Sequence, residues 1–191
     1  CQVGRKNGKT QLMAGIGLAF LDFDNEPAAS VVFAATKRDQ AKIAHDEATR
    51  MVRASPALKK RVTILRNNLT VKSTHSTAEP LSSDAKSLDG LSVSFGGLDE
   101  MHAHKDADLL NVLKSATGAR TNPLIAIITT AGFNIGGPCF QLMRSACEVL
   151  EGKATDDSLF PLIYTLDEDD DFTDPSIDGV DLIHTDGPVK S

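Results

Sequence analysis

Short apolar runs that stop at polar residues alternate with longer stretches of helical periodicity along this chain. Val31-Val32-Phe33-Ala34-Ala35 is a continuous apolar run, the pattern of a strand buried on both faces. Leu124-Ile125-Ala126-Ile127-Ile128 shows the same pattern most clearly. Leu91 to Leu98 shows it more weakly, because Gly96-Gly97 interrupts it, and Leu159 to Tyr164 is a further run. Helices are expected between them. Leu12 to Phe20 is apolar on all sides, as in a helix that packs on a sheet. Thr36-Lys37-Arg38-Asp39 opens a second helix with a variant of the capping box, continued by Ala41, Ile43, Ala44, Ala48, Met51 and Val52, which Pro56 ends or restarts. Asp106 to Ala116, closed by Gly118, and Gly136-Gly137-Pro138 through Val149 give two more. Val62 to Leu65 and Leu69 to Val71 flank Asn67-Asn68 and predict a hairpin or a pair of short strands. Residues 73–90, rich in Ser, Thr, Asp and Pro, predict a loop.

Strands alternating with helices indicate βαβ units and a parallel sheet covered on both faces. Such sheets bind ligands at the carboxyl ends of their strands. The polar residues Arg5 to Thr10, Thr36, Asp99-Glu100 and Thr129-Thr130 each stand where an apolar run stops.

Length and composition narrow the class. The chain has 191 residues, enough for one sizeable core, and 41% hydrophobic residues is ordinary for a soluble domain. Cys1, Cys139 and Cys147 are odd in number and lack metal-ligand spacing, so reduced packing thiols and a cytoplasmic protein are expected. No apolar run approaches the roughly 20 residues needed to span a bilayer. The net charge of −6 is unevenly placed: residues 1–155 carry 19 Lys+Arg and 15 Asp+Glu, whereas residues 156–191 carry one Lys and 11 acids. The body is mildly basic, which permits a DNA partner without demonstrating one.

Val3-Gly4-Arg5-Lys6-Asn7-Gly8-Lys9-Thr10 reads as a phosphate-binding Walker A loop. Gly8 lets the backbone approach phosphate, so that loop N–H groups and the dipole of the next helix face the anion. Lys9 neutralises β/γ-phosphate charge, and the Thr10 hydroxyl can ligate Mg²⁺. The first glycine of the usual spacing is displaced to Gly4, and a basic turn before an apolar helix is the plainer alternative. So little chain precedes the loop that the strand normally leading into it is expected to be missing.

Asp99-Glu100, at the end of a strand, supplies two adjacent carboxylates, one to hold Mg²⁺ and one to polarise an attacking water; a solvated turn would look the same. Thr129-Thr130-Ala131-Gly132 places hydroxyls where a γ-phosphate could be sensed, or makes a turn at Gly132. His102 and His104 could contribute to a metal site or serve as polar neighbours of the carboxylates. The run Asp167-Glu168-Asp169-Asp170-Asp171 with Asp174 reads as a solvated linker rather than a metal cluster, since like charges repel.

Taken in order, these motifs resemble the ATPase domain of the large terminase subunit of tailed bacteriophages. Gly4 to Thr10 is similar to that family's deviant Walker A, Ala34 to Ala41 to its second strand-to-helix segment, Leu98 to His104 to its Walker B, and Thr129 to Gly132 to its coupling motif. The similarity spans about residues 3 to 175.

The resemblance implies an α/β P-loop NTPase of the additional-strand, RecA-like type, with a mainly parallel sheet covered by helices on both faces. It implies ATP and Mg²⁺ as ligands. Gly4, Arg5, Lys6, Asn7, Gly8, Lys9 and Thr10 would form the nucleotide cradle, with Arg5 on the γ-phosphate. Thr10 and Asp99 would serve the metal, Glu100 would be the catalytic base, and Thr129 and Thr130 would couple hydrolysis to movement. The implied partners are double-stranded DNA, a portal, a small terminase subunit and further copies of the chain in a ring. An arginine from a neighbouring copy would complete the site, Arg120 being one candidate. Residues 1–166 are then the ATPase domain and residues 167–191 an acidic tail, without the family's adenine-contacting segment and nuclease domain; Ile177 to Ser191 matches no part of the family. Two rivals remain: a P-loop phosphotransferase acting on a small molecule, and a non-catalytic module that binds DNA or a portal partner.

Overall fold

A computed structural model describes residues 1–2, 4, 7–24, 26–82, 90, 92–130, 134 and 136–164. Its elements follow the alternation of the sequence: α1 (Lys9–Asp22), β1 (Ser30–Ala35), α2 (Arg38–Ala54), α3 (Pro56–Arg61), β2 (Val62–Ile64), β3 (Leu69–Val71), β4 (Ser76–Ser82), β5 (Phe95–Asp99), a 3₁₀ turn at Met101–Ala103, α4 (Asp108–Ala116), β6 (Leu124–Ile128) and α5 (Pro138–Leu150). The six strands form one sheet in the order β2-β3-β4-β1-β5-β6. The run β4-β1-β5-β6 is parallel, and the hairpin β2-β3 adds an antiparallel edge.

The period-2 alternation sorts the core into two layers. Val31 and Phe33 of β1, Phe95 of β5 and Ile128 of β6 pack with Met13, Leu18 and Leu21 of α1 and Ala44, Ala48 and Val52 of α2. Val32, Ala34 and Leu98 point the other way, onto Leu109, Leu110 and Leu113 of α4. The glycine pair in β5 that weakens the strand signal lies between these layers. A Cβ at Gly97 would sit 2.8 Å from Met13 Sδ, and one at Gly96 would sit 3.6 Å from Leu113. Gly97 therefore sets how closely α1 approaches the sheet, whereas a side chain at Gly96 would make only ordinary contact with α4.

Several expectations are corrected. The loop expected over 73–90 contains β4, which pairs with both β1 and β3. Its sequence, Ser-Thr-Ala-Glu-Pro-Leu-Ser, hides the strand because its pairing is supplied from outside. β3 stops at the partner of Ala78, so Pro80 lies in the part of β4 paired with β1 alone. Leu159 to Tyr164 forms no strand; only Ile163 makes a bridge, to Gln2. The run from Leu91 becomes a strand at Phe95, Leu91 itself lying outside the described residues. The capping box does not form: Lys37 is the N-cap of α2 without a side-chain cap, and Thr36 Oγ1 donates to Gln40 Oε1 at 3.0 Å. Nor is α1 covered all round, since Leu12 is 55% exposed. Cys139 and Cys147 are half-buried thiols on α5, and burial pushes both pKa values up. Among the described residues no helix is long and apolar enough to cross a membrane.

Gln2, just ahead of the glycine loop, also bridges to Thr129 in parallel. β6 therefore stands between the chain entering the loop and β5, the strand that carries Asp99. This is the inserted strand that defines the additional-strand arrangement.

Candidate active site

The phosphate loop turns into α1 through Gly8, whose φ of 69° and ψ of 15° lie in the left-handed region that glycine enters without steric cost. Gly8 accepts the first helical bond, from Leu12 N at 2.9 Å. Lys9 Nζ reaches back and donates to the Gly4 carbonyl at 2.9 Å, drawing its ammonium across the loop. Arg5 and Lys6 lie outside the described residues.

A cleft of about 490 Å³ opens at the carboxyl ends of the strands. Asn7 to Gln11 line one side, and Gln40 of α2 borders it. Glu100, His102 and Ala103 enter from the turn after β5, and Thr130 from the end of β6. The structure thus brings together the loop, Glu100 and Thr130, which are far apart in sequence. Gln40 and His102 carry no nucleotide role in the sequence reading. The strand-end rule could have flagged Gln40, which follows β1 by one turn.

Expected residues divide by depth. Asn7, Gly8, Lys9, Thr10, Glu100 and Thr130 line the cleft, whereas Gly4, Asp99 and Thr129 do not. Asp99 sits behind Glu100, its Oδ1 accepting from Glu100 N at 2.8 Å. Burial raises the Asp99 pKa and the neighbouring Glu100 raises it further, opposed in part by Lys9 and His102. Thr129 is buried, and its hydroxyl donates to the Thr130 carbonyl at 2.9 Å.

Glu100 adopts φ 52° and ψ 52°, a left-handed conformation that costs a residue with a Cβ about 1–2 kcal/mol. Such strain persists where surrounding structure enforces it, and it gathers at functional sites. Here it breaks β5 abruptly, so that Asp99 stays in the sheet while Glu100 enters the cleft. Glu100 Oε2 is buried without a hydrogen bond, although His102 Nδ1 stands 3.0 Å away at ion-pair distance. The two histidines part company. His102 turns to Glu100 and the threonines, while His104 is buried with Nε2 3.4 Å from the Asp99 carbonyl, and burial lowers its pKa.

The hydroxyl of Thr10 and the carboxylate of Asp99 are hard oxygen donors of the kind Mg²⁺ takes. Burial first, and the adjacent Glu100 second, disfavour the charged form of Asp99, an effect a bound cation would offset, so the donor chemistry of Thr10 and Asp99 suits Mg²⁺. Among the described residues no three His, Cys, Asp or Glu side chains are grouped to hold a metal.

Arg120 is placed elsewhere. Its guanidinium donates to the carbonyls of Ser92, Ala28 and Pro27 and pairs with Glu26 at 3.4 Å. Those partners precede β1 and β5, at the end of the sheet opposite the cleft. Within its own chain Arg120 is a clamp between these segments.

A six-stranded α/β sheet with a glycine loop, an inserted strand and a strand-end carboxylate pair defines a P-loop type of nucleotide-binding domain. Residues 1–148 match the model of the terminase large subunit, ATPase domain, and the chain belongs to that family. Protein YmfN of Escherichia coli K12 is 45% identical over 89 residues, which cover 47% of this chain and 20% of that protein. The large terminase subunit of Enterobacteria phage HK97 is 34% identical over 138 residues, covering 69% of this chain and 27% of that one. The HK97 crystal structure superposes with a TM-score of 0.78 at 30% identity, over 90% of this chain and 36% of that one. The chain thus spans about a quarter of the length of these curated relatives. The large terminase of a thermophilic bacteriophage, crystallised with ATP-gamma-S, shares the fold at 12% identity and a TM-score of 0.50, over 77% of this chain and 43% of that one.

Proposed function

We propose that this domain hydrolyses Mg·ATP and that hydrolysis drives translocation of double-stranded DNA into a procapsid, within a ring of copies docked on a portal and supplied by a small terminase subunit. The observation that carries the reading is Glu100: a strained carboxylate at the end of β5, lining the same cleft as Lys9 and Thr10. Family membership and the nucleotide complex of the thermophilic phage protein support the choice of ATP.

Catalysis is positioning and charge neutralisation. Loop N–H groups and the α1 N-terminus hold the phosphates, and Lys9 leaves the Gly4 carbonyl to neutralise the γ-phosphate, with Arg5 as a second cation. Thr10 and Asp99 would hold Mg²⁺, which would supply charge neutralisation on the phosphates. The Glu100 carboxylate, which lines the cleft, accepts a proton from the attacking water. Thr130 donates its hydroxyl to the γ-phosphate, and the loss of that bond after cleavage is the signal that moves the segment beyond β6.

Calorimetry of Mg·ATP on this chain and on Lys9→Ala tests the cradle without a ring or DNA. Binding that disappears in the variant supports the reading. A parent chain that binds no nucleotide, yet binds duplex DNA or a portal protein, is instead the non-catalytic module. Turnover that requires a small-molecule acceptor and ignores DNA identifies a phosphotransferase.

A further inference from the structure

His102 Nδ1 is the meeting point of the two strand ends. It lies 3.0 Å from Glu100 Oε2, 3.0 Å from Thr129 Oγ1 and 3.3 Å from Thr130 Oγ1. The arrangement follows from register: β5 and β6 run parallel with Asp99 opposite Ile128, so the turn after Asp99 meets Thr129 and Thr130. The His102 backbone N–H also donates to Thr129 Oγ1, at 3.2 Å.

With the single proton of the Thr129 hydroxyl on the Thr130 carbonyl, that oxygen accepts from His102, which favours a proton on Nδ1 over one on Nε2. The Thr130 hydroxyl, 3.3 Å from Nδ1, would donate there in the other tautomer. Glu100 Oε2 lies 3.0 Å from Nδ1, at ion-pair distance and without a hydrogen bond.

We propose that His102 is a positioning residue: its Nδ1–H, held by Thr129, fixes the imidazole edge against which the Glu100 carboxylate rests, and so ties that carboxylate to Thr129 and, through Thr129, to the Thr130 backbone. This rests on the reading of Glu100 as the base. A shift of Thr130 when phosphate contact is gained or lost reaches Glu100 through one imidazole, so the hydroxyl that meets the nucleotide and the base that hydrolyses it change together.

Two measurements test it. Long-range ¹H–¹⁵N NMR of the full chain at about pH 8, where free imidazole is neutral, reports the ring tautomer; the His102 signals are the ones missing in His102→Asn. The Nδ1–H form supports the proposal, and the Nε2–H form overturns it. For hydrolysis, His102→Ala lowers kcat by roughly tenfold or more while KM for ATP stays within about twofold, as expected when a base is misplaced but the cradle is intact. His102→Asn, whose Nδ2–H falls near the position of Nδ1, recovers most of the loss. Equal kcat in His102→Ala, parallel changes in kcat and KM, or an Asn variant no better than Ala each overturns it. A parent chain without ATP turnover refutes the proposed function instead, and the tautomer then decides the positioning role alone.

Discussion

Gly17 of α1 lies against the ring of Phe33 in β1, where a Cβ would stand 2.6 Å from Phe33 Cζ and 2.8 Å from Cε1. Both residues belong to the core layer that seats α1, the helix that begins with Lys9 and Thr10, on the sheet. Gly17→Ala is therefore expected to destabilise by about 1–3 kcal/mol through overpacking, despite the gain in helix propensity. Gly15, on the same helix, meets nothing within 4 Å, and Gly15→Ala is expected to stabilise by about 0.5–1 kcal/mol. Urea unfolding of the two variants, identical in chemistry and opposite in sign, separates close approach from propensity.

Glu100→Gln keeps the shape of the cleft and removes the proton acceptor. Its Mg·ATP affinity should stay within about threefold of the parent while hydrolysis falls by about 10²–10⁴-fold, the usual range for a lost general base. Calorimetry and single-turnover hydrolysis check the two halves. An unchanged rate would move the base to another residue.

Arg120→Met leaves the carbonyls of Pro27, Ala28 and Ser92 and the carboxylate of Glu26 without their cation. A loss of roughly 2–4 kcal/mol is expected by chemical denaturation, from orphaned acceptors and a broken, partly buried ion pair. Arg120→Lys should recover little, because one ammonium cannot span the fork. Nucleotide affinity below the unfolding transition should be unchanged, as the clamp lies at the far end of the sheet.

His45 of α2 is buried, and neither ring nitrogen has a hydrogen bond among the described residues. Burial lowers its pKa and Lys42 lowers it further, against the opposing pull of Asp46 and Glu79. The unfolded chain then takes up a proton at a pH where the folded chain does not. Stability is fully present above the ordinary value of 6.5 and is lost as pH falls below it. His45→Leu should flatten that part of the stability profile, and the difference between parent and variant isolates this residue from the carboxylates.

Local signals made much of the molecule legible. The strands at 31–35 and 124–128, the helices at 38–54 and 138–150, the hairpin and the strand-end chemistry all depend on patterns within a few residues. The strand at 124–128 is nevertheless an edge strand with Leu124 40% exposed, rather than the doubly buried strand its apolar run implies. Where the reading failed, the deciding forces came from outside the segment. β4 is polar and contains Pro80, yet β1 and β3 supply its ladder; Leu159 to Tyr164 is apolar, yet has only a single bridge at Ile163. His102 meets Glu100, Thr129 and Thr130 only because of the register of β5 with β6, which no local pattern at 102 contains.

Short-range patterns were enough for the alternation of apolar strands and helices, a glycine able to take a positive φ before Lys9-Thr10, and an adjacent pair of carboxylates at a strand end. These are properties of short stretches, set by side-chain periodicity and backbone sterics. Tertiary structure alone decided that β6 stands between the loop's approach and β5, that Glu100 enters the cleft while Asp99 stays behind it, and that Arg120 is occupied at the opposite end of the sheet. The physical reason is range: strand order, register and the direction of a strained turn are fixed by contacts between residues distant in sequence, which no local pattern encodes.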